Sequence, residues 1–245
     1  MLLPIQLFAS AAVSILTAAT IRNTAETYSI CSRKTNDGKD SSILCQYIVG
    51  DTIAVPIGKS KDDIISDLKS MRRRDLLEIF KRCEVPDKLS IIEGEWDGLL
   101  LNNNYVLTSV SAFLTNKLFG KNKLWNGKQF GYVKDKCVGI NRFNENGDSI
   151  NKVHKFDYSI ESSIFGESSI QLNYSKHQGL LSLWKTMVDE VRVLKVPRVE
   201  TTEAEEKFDL ILLGVGSMAW SGGMYNCQPF CLHQPSTKSN SSSKH

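Results

Sequence analysis

The sequence predicts a mainly β protein, a small antiparallel barrel preceded by an amphipathic helix. Residues 90–234 alternate short apolar or half-apolar stretches with Gly, Asn and Asp, a pattern typical of antiparallel barrels. Residues 60–83 instead repeat apolar side chains at helical spacing. Between the two, Gly94-Glu95-Trp96-Asp97-Gly98 leads directly into the apolar stretch Leu99-Leu100-Leu101 and marks the start of the barrel.

Size and composition indicate an ordinary globular chain. The 245 residues are 41% hydrophobic and 23% charged, which is enough for one sizeable core. The net charge is only +3, and no stripe of Lys and Arg interleaved with aromatics appears, so we expect no nucleic-acid partner. The run Arg72-Arg73-Arg74 is followed by Asp75 and Glu78, which favours a solvated helix face.

The amino terminus, residues 1–24, forms a hydrophobic leader in which Arg22 is the first charge. Its length fits a signal peptide or a membrane anchor, and a buried helix is the alternative. Two sequons, at Asn173 and Asn240, fit a secretory route. We expect the endomembrane or secretory pathway, or the plastid if the chain is algal, with membrane association through the leader if it is retained.

Residues 25–89 are interpreted as a linker followed by the amphipathic helix. A short strand is predicted at residues 43–49, and the helical tract begins after Ser60, a suitable N-cap, and stops before Pro86. The tract is one helix or two, and we expect its apolar stripe to cover one mouth of the barrel. Residues 90–234 form the barrel, and the Ser- and Lys-rich residues 235–245 are predicted to be disordered.

Two tryptophan motifs lie in the predicted barrel. Trp96 is expected to fill its closed end, with one partner for the indole N–H. Downstream, the sequence reads Trp125-Asn126-Gly127-Lys128-Gln129-Phe130, in which Asn126-Gly127 is a tight-turn signal. With the glycine-rich stretch 213–216 and Pro229-Phe230, these motifs resemble the GXWXG-domain family.

That resemblance spans residues 76–232 and implies a lipocalin-like barrel. The family has no settled activity, so the resemblance informs the fold more than the function. This chain departs from it in the leader and in the charged segment 198–207, interpreted as an exposed insertion between two strands. Independently of the family, strands are predicted at residues 139–143, 152–160, 169–174, 187–194, 209–215 and 218–220.

Candidate polar residues are few. Glu190 and Arg192 share one strand face. If that face points inward, they would form a buried ion pair that orients a polar group of a ligand. If it points outward, they would form a rim ion pair worth ~0–1 kcal/mol. His154, near Asp157 and Tyr158, is the best acid/base candidate, although a structural role is favoured for it.

Other sites have little support. Gly58-Lys59-Ser60 fails as a phosphate loop because Ile53 stands where the first glycine is needed, and no Gly-x-Ser-x-Gly elbow occurs. The six cysteines include no Cys-x-x-Cys pair, so we expect no metal and no cofactor. In an oxidising compartment, Cys31–Cys45 and Cys227–Cys231 are the shortest disulfide loops.

The resulting hypothesis is a lipocalin-like binding protein for a hydrophobic small molecule such as a lipid, isoprenoid or pigment. The alternatives are an isomerase or cyclase acting on a lipid-like substrate through Glu190, His154 or Asp189, and a non-catalytic assembly protein with a solid barrel. The predicted ligand-binding residues are Trp96, Trp125, Phe130, Glu190, Arg192 and Trp220.

Overall fold

The computed structural model describes residues 43–49, 52–56, 58–101, 123–145, 149–179, 182–198, 208–218, 223 and 227–235. The predictions on the leader, on Trp220 and on the tail after residue 235 lie outside the described residues. So do residues 199–207, which make up most of the predicted insertion.

Two helices precede the barrel in the described chain: α1, Lys61–Ser70, and α2, Arg73–Arg82. Ser60 caps α1 as predicted, because its Oγ accepts from the backbone N–H of Asp63, and the Asp63 carboxylate accepts from the backbone N–H of Ser60. The tract is therefore two helices. Neither is long and apolar enough to cross a membrane, nor is any other helix in the described part of the chain.

The predicted strand at residues 43–49 is only partly right. A 3₁₀ helix occupies Ile43–Gln46, and β1, Ile48–Val49, follows it. β1 pairs with β2, Thr52–Ile53, in a two-stranded ribbon separate from the barrel.

Eight antiparallel strands close into the predicted barrel. Each pairs with its neighbours in sequence, and β10 pairs with β3 to complete the closure, placing Phe230 opposite Leu100. The strands are β3 Gly94–Leu100, β4 Leu124–Val133, β5 Lys136–Glu145, β6 Ser149–Ser162, β7 Ser168–Asn173, β8 Met187–Pro197, β9 Phe208–Met218 and β10 Gln228–His233. The mainly β fold class is thereby confirmed.

The helices cover the side wall of the barrel, and the expectation that they cover a mouth is wrong. β9 is apolar on both faces: Leu212 packs in the interior, whereas Ile211 and Leu213 pack outside with the apolar residues of α1 and α2. Because these outward side chains must be shielded from water, the helical stripe packs on this wall. The same outer layer contains Leu194 and Val196 of β8.

Trp96 fills the barrel interior as predicted. Its side chain is fully buried, and its indole Nε1 donates to the carbonyl of Ile92 at 2.8 Å. Ile92 ends a 3₁₀ helix, Leu89–Ile92, immediately before β3, and is itself buried in the interior cluster. This turn therefore closes the end of the barrel at which β3 begins.

The predicted turn at Asn126-Gly127 is instead a β-bulge inside β4. The register with β5 shifts between Trp125 and Gly127, and Gly127 has φ +125°. A Cβ at Gly127 would lie 2.0 Å from the Trp96 carbonyl oxygen, so only glycine fits. The type I′ hairpin turns that favour Asn-Gly also place glycine at positive φ, which is why the same dipeptide suits either.

Candidate functional site

A cluster of four polar side chains lies inside the barrel. Lys128 of β4 stands opposite Asn141 of β5, and Asp189 of β8 meets them from across the interior with Tyr174, the residue after β7. Each of the four is at most 2% exposed. We call these four residues the interior polar cluster.

Lys128 is the centre of this cluster. Its Nζ donates to the Asn141 Oδ1 at 2.8 Å, to the Tyr174 hydroxyl at 2.7 Å and to Asp189 Oδ2 at 2.8 Å. Three acceptors match the three N–H groups of an ammonium. Burial lowers the pKa of Lys128, and the charge of the Asp189 carboxylate opposes that shift.

Aromatic rings surround the Lys128 ammonium. Its Nζ lies 5.2 to 5.6 Å from the ring centroids of Trp125, Phe156, Tyr174 and Phe230, within cation–π range. Burial, followed by the Asp189 charge, raises the pKa of Tyr174 well above its usual value. Its hydroxyl therefore stays neutral and donates to Asp189 Oδ2 at 2.8 Å.

One acceptor in the cluster is unsatisfied. Asp189 Oδ1 is buried and makes no hydrogen bond with the described residues, whereas Oδ2 accepts from both Lys128 and Tyr174. Oδ1 lies over Gly216, where an added Cβ would approach it to 2.7 Å. A side chain at position 216 would therefore have to shift the carboxylate.

The middle of the barrel interior is tightly packed, and apolar side chains toward both ends are less buried. Trp96 and Phe130 have almost no exposed area, so they border no void large enough for a ligand. Leu89 and Cys137 are half-buried toward the end where β3 begins. Leu100, Trp125 and Met187 are half-buried toward the end where β3 finishes and β4 and β8 begin. We call this second end the open end of the barrel.

The predicted ligand-binding aromatics have different positions. Trp125 lies at the open end, and its Nε1 donates to Asn141 Oδ1 at 3.2 Å. Phe130 is packed edge-on against Phe156 and Tyr158, with centroids 5.7 and 5.3 Å away. Of the aromatic side chains predicted to bind ligand and described by the structure, only Trp125 borders the open end.

Glu190 and Arg192 face outward, as one of the two alternatives had it, but the ion pair expected in both alternatives is wrong. The two side chains face outward, yet both are buried, because α2 and the loop before β7 cover this part of the wall. No ion pair joins them: Glu190 accepts from Ser163 at 2.5 Å and Ser169 at 2.9 Å.

Arg192 instead joins the helical layer to the barrel. Its guanidinium donates to the carbonyls of Phe80, Lys81 and Gly166, and it stacks 5.1 Å from the Phe80 ring centroid. Burial lowers the pKa of Arg192. The side chain therefore docks the end of α2 and contacts no interior site.

His154 lies at a bulge between β5 and β6. Its φ is +57°, and its ring stacks on Trp184 with centroids 4.4 Å apart. Its carbonyl accepts from Asn141 Nδ2 at 3.3 Å, so its backbone helps to hold the interior polar cluster. The structure does not bring His154 and Glu190 together in one site.

Sequence reasoning assigned no role to Lys128, Asn141 or Tyr174. The signal that was missed is the alternation of side chains along a strand. Lys128 points to the same inward face of β4 as Phe130, and Asp189 points to the same inward face of β8 as Val191 and Val193. A charge at an inward-facing position of a barrel strand indicates a buried partner.

The predicted Cys227–Cys231 disulfide is wrong, since both thiols are free and buried. Four residues along a nearly extended strand separate the Cα atoms by roughly 13 Å, well beyond the roughly 7 Å that a disulfide allows. Cys31 lies outside the described residues, as does the Cys45 side chain. Among the described residues, no group of three or more His, Cys, Asp or Glu could hold a metal.

Comparisons with known proteins give no relative: no family model, no curated protein and no solved structure matches this chain. The resemblance to the GXWXG-domain family therefore stays a prediction.

Proposed function

We propose that the protein binds a predominantly apolar small molecule that carries one hydroxyl or N–H donor. The ligand enters at the open end of the barrel. Because Asp189 Oδ1 is buried in the unliganded protein, the half-buried side chains at that end move aside before the ligand donates to Oδ1. The observation that carries this proposal is the unsatisfied carboxylate oxygen in an otherwise apolar, aromatic interior. Binding sites of this kind combine mostly apolar walls with a few polar anchors.

The energetics of the interior polar cluster support a role beyond stability. Removing a lysine and an aspartate from water costs several kcal/mol per ion, and apolar residues of similar volume often stabilise a core equally well or better. A hydrogen bond to a charged group contributes about 1.5–3 kcal/mol. A ligand donor on Oδ1 would supply such a bond and satisfy the remaining acceptor.

The walls of the open end suit an apolar ligand body. Trp125 presents a large half-buried ring, held in place by its bond to Asn141 and by edge contact with Phe230 at 5.7 Å. Leu100 and Met187 add aliphatic surface. An isoprenoid or lipid alcohol combines such a body with a single donor.

Native mass spectrometry of the full-length protein, purified without detergent, tests the proposal. Solvent extraction and mass analysis identify any molecule that co-purifies. We expect wild type to carry or take up apolar alcohols or amines, and the double variant Lys128→Met/Asp189→Leu to lose them. Lys152→Met, which changes an exposed lysine paired with Glu95 at 2.7 Å, is the matched control.

Equal loading of wild type, control and double variant would contradict the proposal, as would a wild type that takes up no apolar alcohol.

A second candidate, an isomerase of a lipid-like substrate, is favoured by the acid/base character of Lys128, Tyr174 and Asp189 in one enclosure. Its test is turnover: a carrier returns the bound molecule unchanged, whereas an isomerase returns a product of the same mass and altered retention time.

A further inference from the structure

A second concave site lies at the rim of the barrel, at the end where β3 begins, and the interior side chains of Cys137 and Tyr158 form part of its lining. The β4–β5 hairpin, β6 and residues 87–90 enclose an open groove of about 1200 Å³. Small-molecule sites commonly measure 300–1,000 Å³, so this groove has room for a molecule of lipid size. It is separate from the interior polar cluster, none of whose members lines it.

The lining of the groove is strongly basic. Lys88, Lys134, Lys136 and Lys155 line it, and none of them makes an ion pair with a residue that the structure describes. The groove's other lysine, Lys176, is already paired with a carboxylate.

Two carboxylates line the groove, Asp87 and Asp157. Asp157 is neutralised by Lys176 at 3.0 Å and accepts a 2.6 Å hydrogen bond from His177. The lining therefore contains four lysines and one carboxylate, Asp87, that make no ion pair with a described residue, and Glu93 adds a negative charge near Tyr132 and Tyr158. The groove remains net positive and attracts anions.

Apolar side chains are exposed beside these lysines. Tyr132 is 46%, Val133 57% and Ile160 38% exposed, and all three line the groove. Clustered apolar exposure marks a binding surface more often than scattered exposure does. Basic and apolar surfaces in one concavity match a molecule with an anionic head and an apolar chain.

We propose that this groove binds one anionic amphiphile, taken up as a monomer from solution. The lysines hold its carboxylate or phosphate head, and the chain lies along Tyr132, Val133 and Ile160. A peptide strand is a poorer fit, because the closed barrel offers no free edge for strand addition. This proposal does not depend on the ligand of the barrel interior.

The probe for this site is dodecyl phosphate below its micellar concentration, added to full-length ¹⁵N-labelled protein. We expect saturable amide shifts at residues 132–138 and 155–160, and weaker binding as salt increases. Lys134→Gln/Lys136→Gln should weaken binding at least tenfold, while Lys69→Gln, an exposed change on α1, should not. The interior variant Lys128→Met/Asp189→Leu should bind the probe as wild type does, which separates this site from the interior one.

Three outcomes would overturn the proposal. Equal affinity for dodecyltrimethylammonium would show that charge plays no part. Binding only to anionic vesicles, and not to the monomer, would indicate a membrane surface. Unchanged affinity in the Lys134→Gln/Lys136→Gln variant, with its fold verified by circular dichroism, would remove the lysines from the site.

Discussion

Replacing Lys128 with methionine should destabilise the protein by about 3–5 kcal/mol at pH 7, the usual cost of removing one partner from a buried ion pair. The substitution preserves length and removes three hydrogen bonds. It leaves the carboxylate of Asp189, only 1% exposed, with the Tyr174 hydroxyl as its single described partner. Urea unfolding followed by tryptophan fluorescence measures the loss.

Adding Asp189→Leu should recover most of the loss at pH 7, because no charge is then left buried without a partner. Lys152→Met, with both members of its ion pair 41% exposed, should cost no more than about 1 kcal/mol. A loss of less than about 1 kcal/mol in Lys128→Met, or a double variant no more stable than Lys128→Met, would show that Lys128 and Asp189 do not stabilise each other as a buried charge pair.

Three further outcomes are expected. Gly216→Ala should lower the free energy of unfolding in urea by about 1–3 kcal/mol, because its Cβ would meet the carboxylate of the interior polar cluster at 2.7 Å. Gly131→Ala, whose Cβ would have nothing within 4 Å, should change it by no more than about 0.5 kcal/mol. Arg192→Met should raise hydrogen exchange in α2 before it does so in the barrel, since it removes the guanidinium bonds to that helix; uniform exchange would contradict this. Cys83 should react with iodoacetamide at pH 8 more slowly than the half-buried Cys137, because burial raises the pKa of Cys83 to about 12. Peptide mass mapping measures which thiol is modified first, and faster modification of Cys83 would contradict the prediction.

The parts of the fold that depend on local signals could be predicted from the sequence. The Ser60 cap needs only the next three residues, and the burial of Trp96 follows from its place at the start of an apolar strand. The bulge at Gly127 was mistaken for a turn because a type I′ turn also places glycine at positive φ.

The candidate site could not be predicted in the same way, because its residues meet only through the closed barrel. Lys128 and Asp189 are 61 positions apart, and no local pattern joins them. For Glu190 and Arg192, alternation correctly placed both on one face. Alternation could not reveal that α2 packs on that face and buries these outward-facing charged side chains.

The proposed function requires an apolar ligand that donates a hydrogen bond to the carboxylate of Asp189. Its most direct test compares the dissociation constants of 1-naphthalenemethanol and 1-methylnaphthalene, which differ only in a hydroxyl group. We expect wild type to bind the alcohol roughly 10–100-fold more tightly, and the Lys128→Met/Asp189→Leu variant to show no preference. Equal affinities in wild type, or a preference that survives in the double variant, would contradict the claim.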